Sequence, residues 1–297
     1  MKIKVDRGTC RNVYYKHIKE TFMAELLYNL TNDTLFKMLF VKYPELLKRL
    51  VAKILGIPID GIAEFKITNP EMPPCDDVDD KFCRLDINME VNGERVNLEV
   101  QVKDEHDYPE RSLYYWARAY SNALHVAQEY AALPRTILIN IIGFKLFKDV
   151  NDLHSEFRPM EVNRHTLLTD KMSLHYFELP KLPKIENLDV NDEVELWLAA
   201  INAKTEEQLS KIKTIGGEPM EQLVEAYHNV AASPEFREMV RQRERAKHNE
   251  ASALANAAQE AKLEERIKLA RRLKAKGMSV DEIIELTDLS VDEVLKA

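Results

Sequence analysis

Asp86 and Glu99 are the two side chains whose types and spacing point most directly to shared chemistry. They lie in residues 82–91 and 94–103, two runs of alternating apolar and polar residues separated by Asn92-Gly93. Asn-Gly between alternating runs is the strongest short-range signal for a two-residue type I′ turn. Such a turn sets the register: Val91 pairs with Glu94, Asn88 faces Asn97, Asp86 faces Glu99 and Arg84 faces Gln101. Directly opposed side chains stand about 4.5–5.5 Å apart at Cβ. Two like charges at that distance repel, and a divalent cation between them would convert the repulsion into a metal site.

The elements that position the pair follow from the same alternation. Cys83, Leu85, Ile87, Met89 and Val91 share one face with Val96, Leu98, Val100 and Val102. Arg84, Asp86, Asn88 and Glu90 share the other with Asn97, Glu99, Gln101 and Lys103. The first face belongs in a core. A polar face by itself is equally the mark of a solvated hairpin. Before the hairpin, residues 33–40 predict a helix with Leu35, Phe36, Leu39 and Phe40 on its apolar stripe and Asp33 as N-cap. Residues 44–55 predict a second helix, ended by Gly56, and 61–68 a short strand. Residues 69–80 hold three prolines and four aspartates and read as a loop. After the hairpin come a helix over 108–130, a buried β-branched strand within 135–147 and a strand over 174–179 ended by Pro180. Strand, hairpin, helix and strand make an α/β arrangement, a mixed sheet backed by helices. From residue 192 the pattern is helical: 192–202, 206–212, 218–276, and two short helices opened by Ser279-Val-Asp-Glu and Ser290-Val-Asp-Glu capping boxes. That last pair has helix-turn-helix size, but its second helix starts Val-Asp-Glu, and acids there repel phosphate. Packing or oligomerisation suits it better than base reading.

Composition excludes several classes. The 297 residues carry only eight glycines, with no GxGxxG or GxxxxGK[ST] to cradle a nucleotide's phosphates. Cys10, Cys75 and Cys83 form no CxxC and leave an odd thiol, as expected of reduced cysteines in the cytoplasm. No apolar run is long enough for a membrane span. Net charge is −8, yet residues 237–276 hold twelve Lys/Arg against six Glu. A basic arm on an acidic body can bind a polyanion locally, although mixed charge on a solvated helix face reads the same way.

Asp33-Thr-Leu-Phe-Lys-Met-Leu-Phe40, Asn69-Pro70, Arg84-Leu-Asp-Ile87, Asn97-Leu-Glu-Val-Gln101, Arg111-Ser-Leu-Tyr-Tyr115 and Phe177-Glu-Leu-Pro-Lys-Leu182 occur in this order. As an ordered set, over about residues 25–200, they resemble the recombination-promoting nuclease / putative transposase family of the PD-(D/E)XK nuclease superfamily. The tail from Leu269 to Ala297 is similar to the C-terminus of many members.

The resemblance implies a restriction-endonuclease-like fold, with a mixed central sheet flanked by helices and an all-α C-terminal extension. The implied divisions are an N-terminal extension (1–24), a nuclease-like domain (25–215) and a helical C-terminal region (216–297). It implies a DNA endonuclease that uses Mg²⁺, or Mn²⁺, in recombination or mobile-element biology. Asp86 and Glu99 take the superfamily's Asp and Glu positions, and the backbone carbonyl of Val100 is a third metal ligand by its place between Glu99 and Gln101. Gln101 stands where the superfamily usually has Lys, so it can orient a water but supplies no charge. Asp33 is the assisting acid on an early helix. Arg111, Arg118 and Lys103 are the DNA-contact candidates, with ion pairing to the acidic surface as the plainer role for the two arginines. The alternative function is a catalytically weak or inactive nuclease fold acting as a DNA-binding or protein-interaction factor. The expected partners are DNA and a second copy of the chain through the helical C-terminal region, with no membrane. A DDE transposase would need three dispersed carboxylates, which the local hairpin pair does not provide.

Overall fold

A six-stranded sheet in the order β1-β2-β3-β4-β6-β5 organises the protein, whose computed structural model describes residues 25–69, 87–123 and 129–297. The strands are β1 (Phe65–Ile67), β2 (Ile87–Val91), β3 (Glu94–Gln101), β4 (Thr136–Ile142), β5 (His154–Phe157) and β6 (Met172–Glu178). The pairings β3–β4 and β4–β6 are parallel and the other three are antiparallel. This is the expected mixed α/β sheet flanked by helices. The expected N-terminal extension, the acidic loop at 75–80 and Asp86 lie outside the described residues.

The central hairpin forms in the register the Asn-Gly turn dictates. Asn92 and Gly93 both have positive φ, 50° and 79°, as a type I′ turn requires. Val91 pairs with Glu94 and the ladder runs to Ile87 opposite Leu98. Asn92 also fastens the turn to the preceding loop. Its Oδ1 accepts from the Ala63 and Glu64 amides at 2.9 and 3.1 Å, and its Nδ2 donates to the Gly61 carbonyl at 2.9 Å.

Helix α1 (Asp33–Lys42) and α2 (Pro44–Leu55) precede the sheet, and α3 (Tyr108–Ser121) connects β3 to β4. Asn32, not Asp33, caps α1: its side chain accepts from the Leu35 amide at 3.0 Å. Asp33 sits one residue inside, where its carboxylate takes the Thr34 amide at 2.7 Å. Helix α3 is shorter than the pattern of residues 108–130 predicts. Its last amides turn back onto Arg118 and Tyr120, and residues 130–132 form a separate 3₁₀ turn. Strand β4 is buried along its whole length, as its unbroken apolar run requires. Strand β5 has no sequence counterpart among the expectations. Its residues His-Ser-Glu-Phe lack apolar alternation, and it lies at the sheet edge.

The helical half contains α4 (Glu193–Asn202), α5 (Glu206–Ile215), α6 (Gly217–Ala231), α7 (Pro234–Ala275), α8 (Val280–Thr287) and α9 (Val291–Lys296). The helix-favouring stretch 218–276 breaks at Pro234, which cannot continue α6 but suits the first turn of α7. Two compact units result, one running to Glu238 and one from Met239 to Ala297. Helix α6 belongs to the first unit. It buries Met220, Leu223, Val224 and Tyr227, packs on α5 and α1, and Tyr227 donates to the Tyr28 carbonyl at 2.7 Å. The second unit has its own small core of Ala270, Ile283, Leu289 and Val294. Both expected capping boxes, Ser279–Glu282 and Ser290–Glu293, are present there. No helix among the described residues is long and apolar enough to cross a membrane.

Candidate functional site

The polar face of the hairpin is only partly solvated: Glu90 is exposed, Asn88 and Asn97 are half-buried, and α3 covers the face at Glu99. In the β3–β4–β6 register, Asn97, Leu138 and Leu174 form one row and Glu99, Asn140 and Tyr176 the next. Side chains in one row share a face. Tyr108 at the start of α3 donates to Asn140 Oδ1 at 3.0 Å, Ser112 hydrogen-bonds the Tyr176 hydroxyl, and Trp116 Nε1 donates to the Thr136 carbonyl at 2.9 Å. Arg95 Nη1 closes the far end on the Ala119 carbonyl at 3.2 Å. These bonds pin the helix along the sheet. Tyr108, Leu138, Ile142, Leu174 and Tyr176 pack as an apolar cluster beneath it.

Glu99 is therefore buried completely, at 0 % exposure. Its Oε1 accepts from Arg111 Nη2 at 3.1 Å. Arg111 reaches Glu105 Oε2 with Nη1 at 2.7 Å and stacks on the Tyr108 ring 4.8 Å from its centroid. Burial works against the Arg111 charge. Glu99, then Tyr108, Tyr115 and Glu105, outweigh that cost and raise its pKa above the ordinary value. Burial, helped by the Glu99 charge and opposed by the Ser112 hydrogen bond, pushes the Tyr176 hydroxyl up.

The expected site residues divide as follows. Glu99 and Arg111 are brought together, with the arginine engaged by two carboxylates. Gln101 follows Glu99 on β3 and donates from Nε2 to the Lys103 carbonyl at 2.8 Å. Lys103 is exposed beyond the strand end, and Val100 pairs with Ile141 inside the ladder. Arg118 is exposed two helical turns beyond Arg111, and Asp33 is exposed at the start of α1. Lys37, one turn after Asp33, is 1 % exposed. Asp86 lies outside the described residues, one step beyond the Ile87–Leu98 pair. Asn140, Tyr108 and Ser112 complete the polar row and were not among the expected site residues. The readable signal was Asn140, a lone amide in an otherwise apolar strand.

The hairpin shows how closely opposed polar residues meet on this face. Asn88 turns its backbone to the β1 side, with its carbonyl on the Thr68 amide at 2.8 Å and its amide on Asn69 Oδ1 at 2.7 Å. The Asn88–Asn97 pair is thus of the close, non-hydrogen-bonded kind. The two side chains touch, Asn97 Nδ2 donating to Asn88 Oδ1 at 2.8 Å.

A divalent ion of the hard, oxygen-seeking type is bound by one or two carboxylates with backbone carbonyls, substrate oxygens and water. A buried carboxylate on a rigid central strand fits that donor chemistry. Among the described residues no group of three or more His, Cys, Asp and Glu could hold a metal ion.

A family model described as PD-(D/E)XK nuclease family transposase matches residues 30–257. No curated protein and no solved structure matches the chain. PD-(D/E)XK nucleases generally use divalent metals. A match over this much of the sequence, on a mixed sheet with helices on its flanks, places the chain in the PD-(D/E)XK nuclease transposase family.

Proposed function

We infer that the protein is a metal-dependent DNA endonuclease of a mobile-element or recombination system. The observation that carries the reading is Glu99, a fully buried carboxylate whose register is fixed by the Asn92-Gly93 turn and whose neighbouring opposed pair, Asn88–Asn97, is in side-chain contact. By the register read from the sequence, Asp86 would stand opposite Glu99. Asp86, Glu99 and the Val100 carbonyl would hold the ion, with Mg²⁺ the first candidate and Mn²⁺ its substitute. When bound, the ion supplies charge neutralisation at the phosphate and orientation of the attacking water.

The remaining work falls to the chain's own side chains. Gln101 has both a donor and an acceptor, so it orients a water but cannot lower its pKa by charge. Arg111 holds Glu99 in place from one side and neutralises part of its charge. Arg118 and Lys103, exposed on α3 and beyond β3, are suited to phosphate contacts. Asp33 on α1 is the assisting acid. A second copy of the chain, docked through the helical C-terminal region, would supply the second cut of a duplex.

Plasmid nicking by the purified protein tests the reading. Nicking is expected with Mg²⁺ or Mn²⁺ and not with EDTA. Glu99→Gln and Asp86→Asn are each expected to reduce it by about 100-fold or more. Full activity in both variants would overturn the assignment. The second reading, a DNA-binding factor with weak catalysis, draws on the neutral Gln101 and on the Glu99–Arg111 pair. It predicts salt-dependent DNA binding without metal-dependent cleavage.

A further inference from the structure

Next to Glu99, on the same covered face, a cavity of about 480 Å³ opens between the hairpin and α3. Its walls include Asn88 and Asn97 from the hairpin, Thr136 at the start of β4, and Tyr115, Arg118 and Asn122 from α3. Two of these groups are incomplete. Thr136 is 1 % exposed, yet its hydroxyl has no hydrogen-bond partner among the described residues. Asn97 spends its amide N–H on Asn88, and its buried Oδ1 has no partner among the described residues. Buried polar atoms are almost always satisfied, and each one left open costs stability. A valine at 136 would fill the same space at less cost to folding, and at 97 only the amide nitrogen is used within the chain. Retaining the polar atoms makes physical sense when something outside the chain completes them.

The complement of the cavity is flat and polar-edged. Asn97 Oδ1 accepts from an N–H, the Thr136 hydroxyl donates or accepts, and Tyr115 offers a ring face. Arg118, exposed at the cavity wall on α3, brings a guanidinium. The volume lies in the range of pockets that enclose small ligands, and Asn97 is two residues from Glu99, roughly 7 Å along the strand. We propose that this cavity receives a single nucleobase, unstacked from the DNA strand whose phosphate is cut at Glu99, and that Asn97 and Thr136 read its edge. The inference rests on the endonuclease reading and adds to it a substrate subsite. A nuclease using such a pocket must pay for unstacking a base, so it favours mismatched, damaged or single-stranded positions.

The test uses a short oligonucleotide with one 2-aminopurine, whose fluorescence rises when the base leaves the stack, and an anisotropy label that reports binding separately. The full-length wild type in EDTA is expected to bind and to raise the 2-aminopurine signal. Thr136→Val should keep or raise the Tm, because it removes an unpartnered buried group; Asn97→Leu should lower it modestly, because it also gives up the hydrogen bond to Asn88; both should abolish the fluorescence rise. They should also weaken binding by about tenfold, the worth of one good hydrogen bond to a desolvated partner. Binding and Glu99-dependent nicking with no fluorescence rise would overturn the base pocket and leave the nuclease reading standing. A free deoxynucleoside monophosphate that binds as tightly as the oligonucleotide would overturn the assignment to a DNA strand. Absence of both DNA binding and nicking would overturn the two readings together. A Tm that falls in both variants, with the fluorescence rise unchanged, would show the two groups to be structural.

Discussion

Glu99 and His175 are both polar residues buried in the central sheet, at 0 % and 5 % exposure, and their surroundings are built differently. Around His175 the polar side chains of β5 and β6 are bonded to one another. Ser173 donates its one proton to Glu156 at 2.7 Å, so His175 Nε2, 2.9 Å away, must donate to Ser173 Oγ. His175 Nδ1 then accepts from His154 Nε2 at 3.0 Å, and Arg158 donates to Glu156 at 2.6 Å. The chain of bonds is closed, with both imidazoles neutral, and it ties the edge strand β5 to β6. Around Glu99 the cation comes from a helix, and the adjoining cavity keeps two polar atoms unsatisfied. Closed polar clusters stabilise and specify a fold. An open one costs stability, and that cost marks it as a site for something else.

The largest expected effect separates the two clusters by charge. Arg111→Met leaves Glu99 buried against a lost cation and should cost about 3–5 kcal/mol in urea unfolding. Arg158→Met removes a cation that is well exposed to water from Glu156, and should cost less than about 1 kcal/mol. Equal losses would erase the distinction between a desolvated pair and a solvated one.

Acid should act on the closed cluster first. Burial, opposed by Glu156, holds His175 down to about 4, and burial lowers His154 as well. Unfolding frees both to take protons at the ordinary histidine value of about 6.5. The unfolded chain therefore binds more protons through this window, and the stability contributed by the neutral imidazoles is present above about pH 6.5. It declines as the pH falls toward about 4. His175→Gln should flatten the slope of Tm against pH over that window. A wild-type Tm that does not fall between those values would show that the imidazoles are protonated in the folded state.

What was legible in the sequence divides along similar lines. Local signals carried the hairpin register, the buried β4 and both capping boxes, because each depends on residues within a few positions. The covering of the polar face was not legible. It depends on Tyr108 meeting Asn140 and Ser112 meeting Tyr176, 32 and 64 residues apart, and no periodicity encodes such meetings. The plainer role foreseen for Arg111, an ion pair, is the one it takes with Glu99. Strand β5 escaped notice because an edge strand with one polar and one exposed face shows no apolar alternation. The break at Pro234 was readable and was outweighed by the helical composition on both sides. The Asp33 cap was misplaced by one residue because Asn32 is an equally good cap and precedes it.

The smallest effect tests whether the open cluster depends on the turn while the closed one does not. Asn92 sits at φ 50° and makes three side-chain hydrogen bonds to residues 61–64. Asn92→Gly keeps the backbone conformation and loses the bonds, an expected cost of about 1 kcal/mol at this exposed position. Asn92→Ala adds the left-handed penalty, for a total of about 2 kcal/mol. Relaxing the turn admits other registers, and a one-residue slip carries Glu99 to the opposite face. Nicking should therefore fall further than stability in Asn92→Ala and less in Asn92→Gly. The pH slope set by His175 should survive in both, because β4–β6 pairing takes its register from other contacts. If Asn92→Ala loses stability with nicking per folded molecule unchanged, the turn is a structural clasp and Glu99 is held in place by α3 alone.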